Sequence, residues 1–325
     1  MSKIAACGLK VLVAATALLP GIAHAADGYP AKPIRAIVGY PPGGGTDLVG
    51  RMIGQKLAES FRQTLVIDNR AGASGIIGTE LAAKAPPDGY TILFTNADHT
   101  LNALVYAKPR YDAVRDFTPI NLLATTPFAL LAHPTFSATS LKELLAMPKG
   151  QTEKFAMGSS GLATGPHLSY ELLRLKSGLT LNHVPYKGGG PSLADAVGGQ
   201  IPLALNALSP AVPYIQAGRL KVLAITSAQR HALLPGVPTF QESGVKDYVT
   251  VQWYGLLGPP GMSKDIVVTL NREINKVLAT ADIRERFATL TLDPTPGAPD
   301  EFRKLLHSEV SLWKGVLKEV RVQLD

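Results

Sequence analysis

Short apolar runs alternate along this chain with stretches in which apolar residues recur every three or four positions, and segments rich in Gly and Pro separate the two kinds. The first run, 34–40, reads as a strand and ends in Pro41-Pro42-Gly43-Gly44-Gly45-Thr46-Asp47. Leu48, Met52, Ile53, Leu57 and Phe61 then follow helical spacing. Residues 65–67 form the next strand, and a Gly-rich loop over 69–78 leads into a helix through Ala85. Pro86-Pro87-Asp88-Gly89 is a turn, since Pro presets φ and Gly tolerates positive φ, and 91–95 is a third strand.

Another apolar run spans 120–132, and Ser140-Leu141-Lys142-Glu143 has the form of a capping box opening a helix. Strand 155–157 runs through a loop at 158–165 into a helix over 166–176. Strand 183–186 runs through 187–190 into a helix over 191–197. Strands at 201–205 and 220–226 bracket a helix at 210–217, and strand 253–257 precedes helices over 263–279, 282–290 and 299–320. This alternation predicts an α/β protein with mostly parallel sheets flanked by helices. No internal repeat of fixed period breaks it.

Three features of composition narrow the class. The N-terminus carries Lys3 and Lys10, an apolar stretch over 11–23 and the small-x-small triplet Ala23-His24-Ala25. That pattern predicts a secretory signal cleaved after Ala25, because the apolar stretch is too short to span a bilayer. The only cysteine, Cys7, lies within it, so the exported chain is expected to hold no disulfide and no cysteine-based metal site or nucleophile. The net charge of +7 comes from singly scattered basic residues, which predicts neither a nucleic-acid patch nor a polybasic membrane segment. At 325 residues, the chain is long enough for two domains.

The candidate chemistry is that of anion capture. Residues 34–54, 155–176 and 183–197 share one design: apolar strand, then a loop of small residues, then a helix. Ligands collect at the carboxyl ends of parallel strands, where free backbone N–H groups and the helix dipole attract an anion without a charged side chain. The second loop adds hydroxyls at Ser159, Ser160 and Thr164, which either donate to a carboxylate or cap the helix. Asp47 reads as a first-turn or N-cap acid, and Lys187 as a solvated loop lysine. His99, His167 and His183 stand near loop or helix starts, where each either hydrogen-bonds a ligand or serves as a structural histidine. No G-x-S-x-G elbow, nucleotide-binding glycine loop or paired metal-ligand histidines occur, so neither a cofactor nor a metal is expected. The enzyme alternative is a periplasmic serine hydrolase with Ser159 or Ser160 as nucleophile and His167 or His183 as base.

Several collinear segments carry a family likeness. They include Tyr29-Pro30-x-Lys32-Pro33-Ile34, Tyr40 through Asp47, Asp68-Asn69-Arg70-Ala71-Gly72-Ala73-Ser74-Gly75 and Pro87-Asp88-Gly89-Tyr90-Thr91. His99-x-x-Asn102, Asp116-Phe117-Thr118-Pro119, Gly158-Ser159-Ser160-Gly161 with Thr164 and His167, His183 through Gly188, and Trp253-Tyr254-Gly255 follow in order. With these the chain resembles the Bug family of extracytoplasmic solute receptors, the binding components of tripartite tricarboxylate transporters. The resemblance implies a two-lobed periplasmic-binding-protein fold, type II-like, with the ligand cleft between lobes. It implies a signal over 1–25, a first lobe from 26–128 plus 253–325 and a second lobe from 129–252, the C-terminal helices returning to the first. It also implies a periplasmic monomer that closes on a small carboxylate, a di- or tricarboxylate or an aromatic acid, and presents it to integral membrane transporter subunits. A sensing receptor that feeds a signalling system is the neighbouring alternative.

The site so implied comprises Tyr40, Pro42, Gly43, Gly44, Ser74, Asn96, His99, Ser159, Ser160, Thr164, Tyr186 and Asn206, with backbone amides and bridging waters making most contacts. Three positions depart from the family's habit. Ala163 stands where Gly is frequent, and Asn206 where many members carry Asp, which weighs against ligands bearing an amine. Asn96-Ala97-Asp98 replaces a shorter stretch of small residues and is expected to set selectivity at the far end of the ligand.

Overall fold

The computed structural model of the chain describes residues 28–106, 108, 110–320 and 322. The expected signal over 1–25 lies outside them. The chain runs through β1 (Ile34–Val38), α1 (Gly45–Phe61), β2 (Leu65–Asn69), α2 (Ile76–Ala83), β3 (Thr91–Asn96), α3 (Asp98–Val105) and the long β4 (Thr118–Ala132). It continues with α4 (Leu141–Leu145), α5 (Lys149–Thr152), β5 (Ala156–Ser159), α6 (Gly165–Ser177), β6 (Asn182–Pro185), α7 (Gly189–Val197), β7 (Leu203–Ala207), α8 (Val212–Gln216) and β8 (Lys221–Ile225). It closes with β9 (Val251–Gly258), α9 (Lys264–Ala279), α10 (Ala281–Thr289), β10 (Asp293–Pro294) and α11 (Pro299–Glu319).

Two lobes share β4. Its first part pairs with β9 and β10, and β9 also pairs with β3, completing the sheet β2-β1-β3-β9-β4. Its last residues, Phe128 to Ala132, pair with β7 and β8 in the second lobe, where β7 continues into β5 and β6. The expected parallel pairing holds for β2-β1-β3 and for β6-β5-β7, which are joined by crossover helices. Every pair that includes β4 or β9 is antiparallel, so each sheet is mixed. The reason is the path of the chain: it leaves the first lobe along β4 and re-enters along β9 from the opposite end.

Period-two side-chain alternation gives each sheet two buried faces. In the first lobe Ile34, Ala36, Val38, Ile92 and Phe94 pack with Ile53, Leu57, Leu270 and Ile274 from α1 and α9. Ile37, Leu93, Trp253 and Leu257 face the other way, against Ile76, Phe302 and Leu306. In α1 the buried stripe is Val49, Ile53 and Leu57, while Leu48 is exposed, one position out of phase with the sequence reading. In the second lobe Leu130, Met157 and Leu168 line one face, and Leu131, Leu193 and Ile225 the other. Trp313 and Val316, near the end of α11, join the first of these clusters, so α11 lies across both lobes rather than returning only to the first.

The capping-box reading is half met. Ser140 accepts from the Glu143 amide, but the Glu143 carboxylate reaches the amide of Thr139 rather than that of Ser140. Helix α3 has no counterpart among the predicted elements. It is built from His99, Thr100, Leu101 and Asn102, all of them buried, so no polar face marks it in the sequence.

Candidate functional site

Strand register decides which loops face each other. Asn96, the last residue of β3, lies opposite Tyr254, and Tyr254 lies opposite Ala124 on β4. Three residues on, Pro127 pairs with Val251, and Phe128 already pairs with Ala207, the last residue of β7. The carboxyl ends of both sheets therefore converge on the crossing points Pro127–Phe128 and Thr250–Val251. The loops after β1 and β3 in one lobe confront those after β5, β6 and β7 in the other. The crossings are pinned by polar bonds in the second lobe. The Phe128 amide donates to Thr226 Oγ1 at 2.9 Å, Thr226 Oγ1 donates to the Thr250 carbonyl at 2.6 Å, and Ser169 Oγ donates to Thr250 Oγ1 at 2.9 Å.

In the first lobe, Pro42, Gly43 and Gly44 are exposed and α1 begins at Gly45 without a side-chain cap. The amides of Gly45, Thr46 and Asp47 have no carbonyl one turn back to bond. Asp47 does not cap the helix. At 1% exposure it sits under the loop, where Oδ2 accepts from the Gly43 amide at 2.9 Å and from Arg51 Nε at 2.9 Å, and Oδ1 accepts from Asn69 Nδ2 at 2.9 Å. Burial acts to raise its pKa, but the hydrogen bonds from Arg51, Gly43 and Asn69 outweigh it and hold the carboxyl below the ordinary range. The Gly43 amide is thus spent inside the loop, which leaves Gly44 and the start of α1 as the donors.

The side chains behind this loop form a wall. Asn96 donates to Thr46 Oγ1 at 3.0 Å and accepts from Tyr40 Oη at 3.0 Å and from the Asp98 amide at 2.9 Å. Tyr254 packs its hydroxyl on Gly45 so closely that a Cβ there would stand 2.5 Å from it. Ser74 is exposed in a left-handed conformation, φ 54, and its carbonyl accepts from Asn102 Nδ2 at 2.8 Å. Gly75 beside it has φ 98, and a Cβ there would meet the Tyr40 ring at 2.9 Å, which ties the Ser74 turn to the wall. His99 departs from this group. It is 1% exposed, stacks on Tyr111, and its Nε2 is 2.8 Å from the Ala113 carbonyl, so it serves as a structural histidine here. Burial pushes its pKa down to about 4.

In the second lobe, Ser160 Oγ donates to Thr164 Oγ1 at 3.0 Å, which donates to the Gly161 carbonyl at 2.8 Å. Ser159 is wholly buried, with Oγ 2.7 Å from His183 Nε2 and accepting from the Gly161 amide at 3.2 Å. All three hydroxyls are engaged, Ser159 with His183 and the other two within the loop, so its free donors are amides at the start of α6; Pro166, the second residue of that helix, has none. Asn206 is 1% exposed, donates to Ser192 Oγ at 3.0 Å and lies against Gly189 at the start of α7. Tyr186 is turned to Asp195, donating at 2.7 Å, and burial pushes its pKa up to about 12. Lys187 is exposed. His167 accepts from the Ala163 amide at 2.9 Å through Nδ1 and stacks on His183 with ring centres 4.3 Å apart.

The Ser159–His183 pair has the spacing of a nucleophile and base. The serine is closed to solvent, however, and the carboxylate nearest the histidine stack, Glu171, lies 3.8 Å from His167 rather than beside His183. The residues that sequence reasoning did not single out are Asn69 and Tyr254, while Asp98 entered only as part of the Asn96-Ala97-Asp98 stretch. All three fall in or beside quoted segments, but only their contacts give them roles. Ala163 takes φ 58, the left-handed region, which accounts for the glycine frequent at this position. Ala163→Gly is expected to leave the fold intact and raise stability by up to ~1 kcal/mol, strain relief exceeding the added chain entropy. The unfolding midpoint would rise by a few degrees, and a lower midpoint would refute the strain.

Comparison with known proteins adds four findings. The model of the tripartite tricarboxylate transporter family receptor matches residues 49–322. Protein BugT of Bordetella pertussis is 35% identical over 301 residues, covering 92% of each chain. Among solved structures, R. palustris Rpa4515 with adipate superposes with a TM-score of 0.79 at 32% identity, covering 89% of this chain and 97% of that one. MatC from Rhodopseudomonas palustris with bound malate gives a TM-score of 0.76 at 29% identity, covering 89% and 100%.

Proposed function

The chain belongs to the tripartite tricarboxylate transporter receptor family, and on that premise we propose that it captures a small carboxylate in the periplasm and delivers it to membrane transporter subunits. The observation that carries this reading is the confrontation of strand-end loops across Pro127–Phe128, with uncapped helix starts at α1 and α6. Such starts present amides and the positive end of a helix dipole to an anion. With Ser159 bonded to His183 and Ser160 and Thr164 bonded inside their loop, backbone amides of Gly44, Gly45 and Thr46 on one side and of Gly165 on the other would share the carboxylate. Tyr40, Asn96 and Ser74 hold the first half-site in shape, and Asn206 and Tyr186 the second.

Contacts from both lobes make the closed form bind better than the open one, so ligand shifts the population toward closure by its differential affinity. The closed shape is what a membrane partner would read. The adipate and malate complexes of relatives support the ligand class. The family is one of receptors, which weighs against turnover at Ser159. Cleavage after Ala25 would release the mature chain.

A thermal-shift screen of residues 26–325 against dicarboxylates, tricarboxylates and aromatic acids, with their amides as controls, tests the reading. A ligand at a hundredfold excess over Kd adds about 2.7 kcal/mol and moves the midpoint by several degrees. Silence from every acid, after removal of co-purified ligand, would sink carboxylate capture.

A further inference from the structure

Asp98 is the first residue of α3 and lies two residues past the carboxyl end of β3, the end that faces the second lobe. It is part-exposed, beside the loop that begins at Tyr40. Its carboxylate is short of donors. Tyr40 Oη lies 3.4 Å from Oδ2, yet the same hydroxyl proton has a nearer acceptor in Asn96 Oδ1 at 3.0 Å. No other hydrogen bond and no ion pair reaches this carboxylate among the described residues. The titratable groups around it are Tyr40 from the loop after β1, Tyr111 from the segment after α3 and Tyr254 from β9, all neutral near pH 7. His99 on its own helix is turned to Ala113, Glu309 of α11 meets α3 two residues on at Thr100, and Asp47 is held by Arg51, Gly43 and Asn69.

A receptor for anions thus carries, at the wall of its anion loop, a carboxyl with no cation. We propose that Asp98 shares a proton with a second carboxyl at the far end of the ligand, so that the receptor takes a dicarboxylate together with one proton. This rests on the carboxylate reading above and names the class of ligand. The alternative complement is a ligand ammonium, which the ω-amino acids in the test below distinguish from a second carboxyl. Burial already pushes the Asp98 pKa up to about 6. A second carboxylate beside it would raise that further, because two such groups at contact cannot both ionise. The dianion from solution would then bind with uptake of about one proton, drawn from buffer.

The test uses the wild-type mature chain, with succinate, glutarate and adipate, their monoamides, and the ω-amino acids of equal length. Titration calorimetry in buffers of different ionisation enthalpy counts protons. The expected result at pH 7.5 is uptake of about one proton with the best-binding dicarboxylate and none with its monoamide. The dicarboxylate Kd should weaken about tenfold per pH unit above pH 7. Asp98→Asn, checked for folding by its melting curve, should lose the uptake and bind the dicarboxylate more tightly than wild type at pH 8. Dicarboxylate binding with no proton uptake and no pH dependence would overturn the proposal, as would preference for the ω-amino acid. Binding of monocarboxylates alone would overturn it while leaving the receptor reading intact. Failure of every carboxylate would remove both.

Discussion

Asp47→Ala is expected to weaken carboxylate binding by about 100-fold and to lower stability by ~2–4 kcal/mol. Counting charges predicts the opposite, since the substitution removes a negative group from beneath an anion site and frees Arg51. Geometry decides the sign. Asp47 is almost wholly enclosed, and its two oxygens take hydrogen bonds from Gly43, Arg51 and Asn69. Alanine strands the Gly43 amide and one Asn69 donor and releases the loop whose shape aims the amides of Gly44 and Gly45. If the binding shape then falls to about one part in a hundred of the population, affinity falls by the same factor. Asp47→Asn keeps one acceptor and should fall between the two. Calorimetry with the acid found by thermal shift, beside a melting curve, gives both numbers. Tighter binding at unchanged stability would mean that the charge, not the scaffold, governs the site.

The second large effect is with pH. His99, His167 and His183 all have pKa values pushed down to about 4, chiefly by burial, and His183 also by the neighbouring His167. In the unfolded chain each would titrate near 6.5. Between pH 6.5 and 4 the unfolded state therefore binds more protons than the native state, and stability falls as pH falls across that window. The full shift corresponds to ~3 kcal/mol for each of the two enclosed rings, His99 and His167, and less for part-exposed His183. Asp98, raised to about 6 by burial, works the other way, contributing stability at low pH that is lost as pH rises through 6; buried Glu309 acts in the same direction. The histidines outnumber them, so net loss is expected from pH 6.5 to 4.5. His183→Gln should make guanidinium unfolding less pH-dependent there by up to one proton, about 1.4 kcal/mol per pH unit. An unchanged slope in that variant would remove the histidine stack from the account.

What the sequence disclosed and what it hid follow from the range of the interactions. Strand–loop–helix units at 34–61, 156–177 and 182–197 are local, and their apolar periods mark them to within a few residues. The antiparallel β9 is not local, because its partner on β4 lies more than a hundred residues back and nothing in its own pattern declares direction. Helix α3 escaped because its polar side chains are buried and bonded, as Asn102 to the Ser74 carbonyl and Thr100 to Glu309, which inverts the usual amphipathic signal. At the site, Gly43 and Gly44 read alike in sequence, yet the Asp47 bond separates them. Ser159 reads as a ligand donor until the His183 contact, made across parallel strands, takes it up.

The sharing of β4 also sets an order of assembly. All strands of the second sheet come from the contiguous stretch 128–225, so it can be completed as soon as that stretch has emerged. The first sheet cannot. Between β3 and β4 it has a gap that only β9 fills, and Leu270, Ile274 and Phe287 of its core come later still. A chain threaded through a membrane N-terminus first would hold β1, β2 and β3 beside an open sheet edge until β9, in the last quarter of the protein, arrives. The sheet that starts first finishes last, and its exposed edge during that wait is where a chaperone would act.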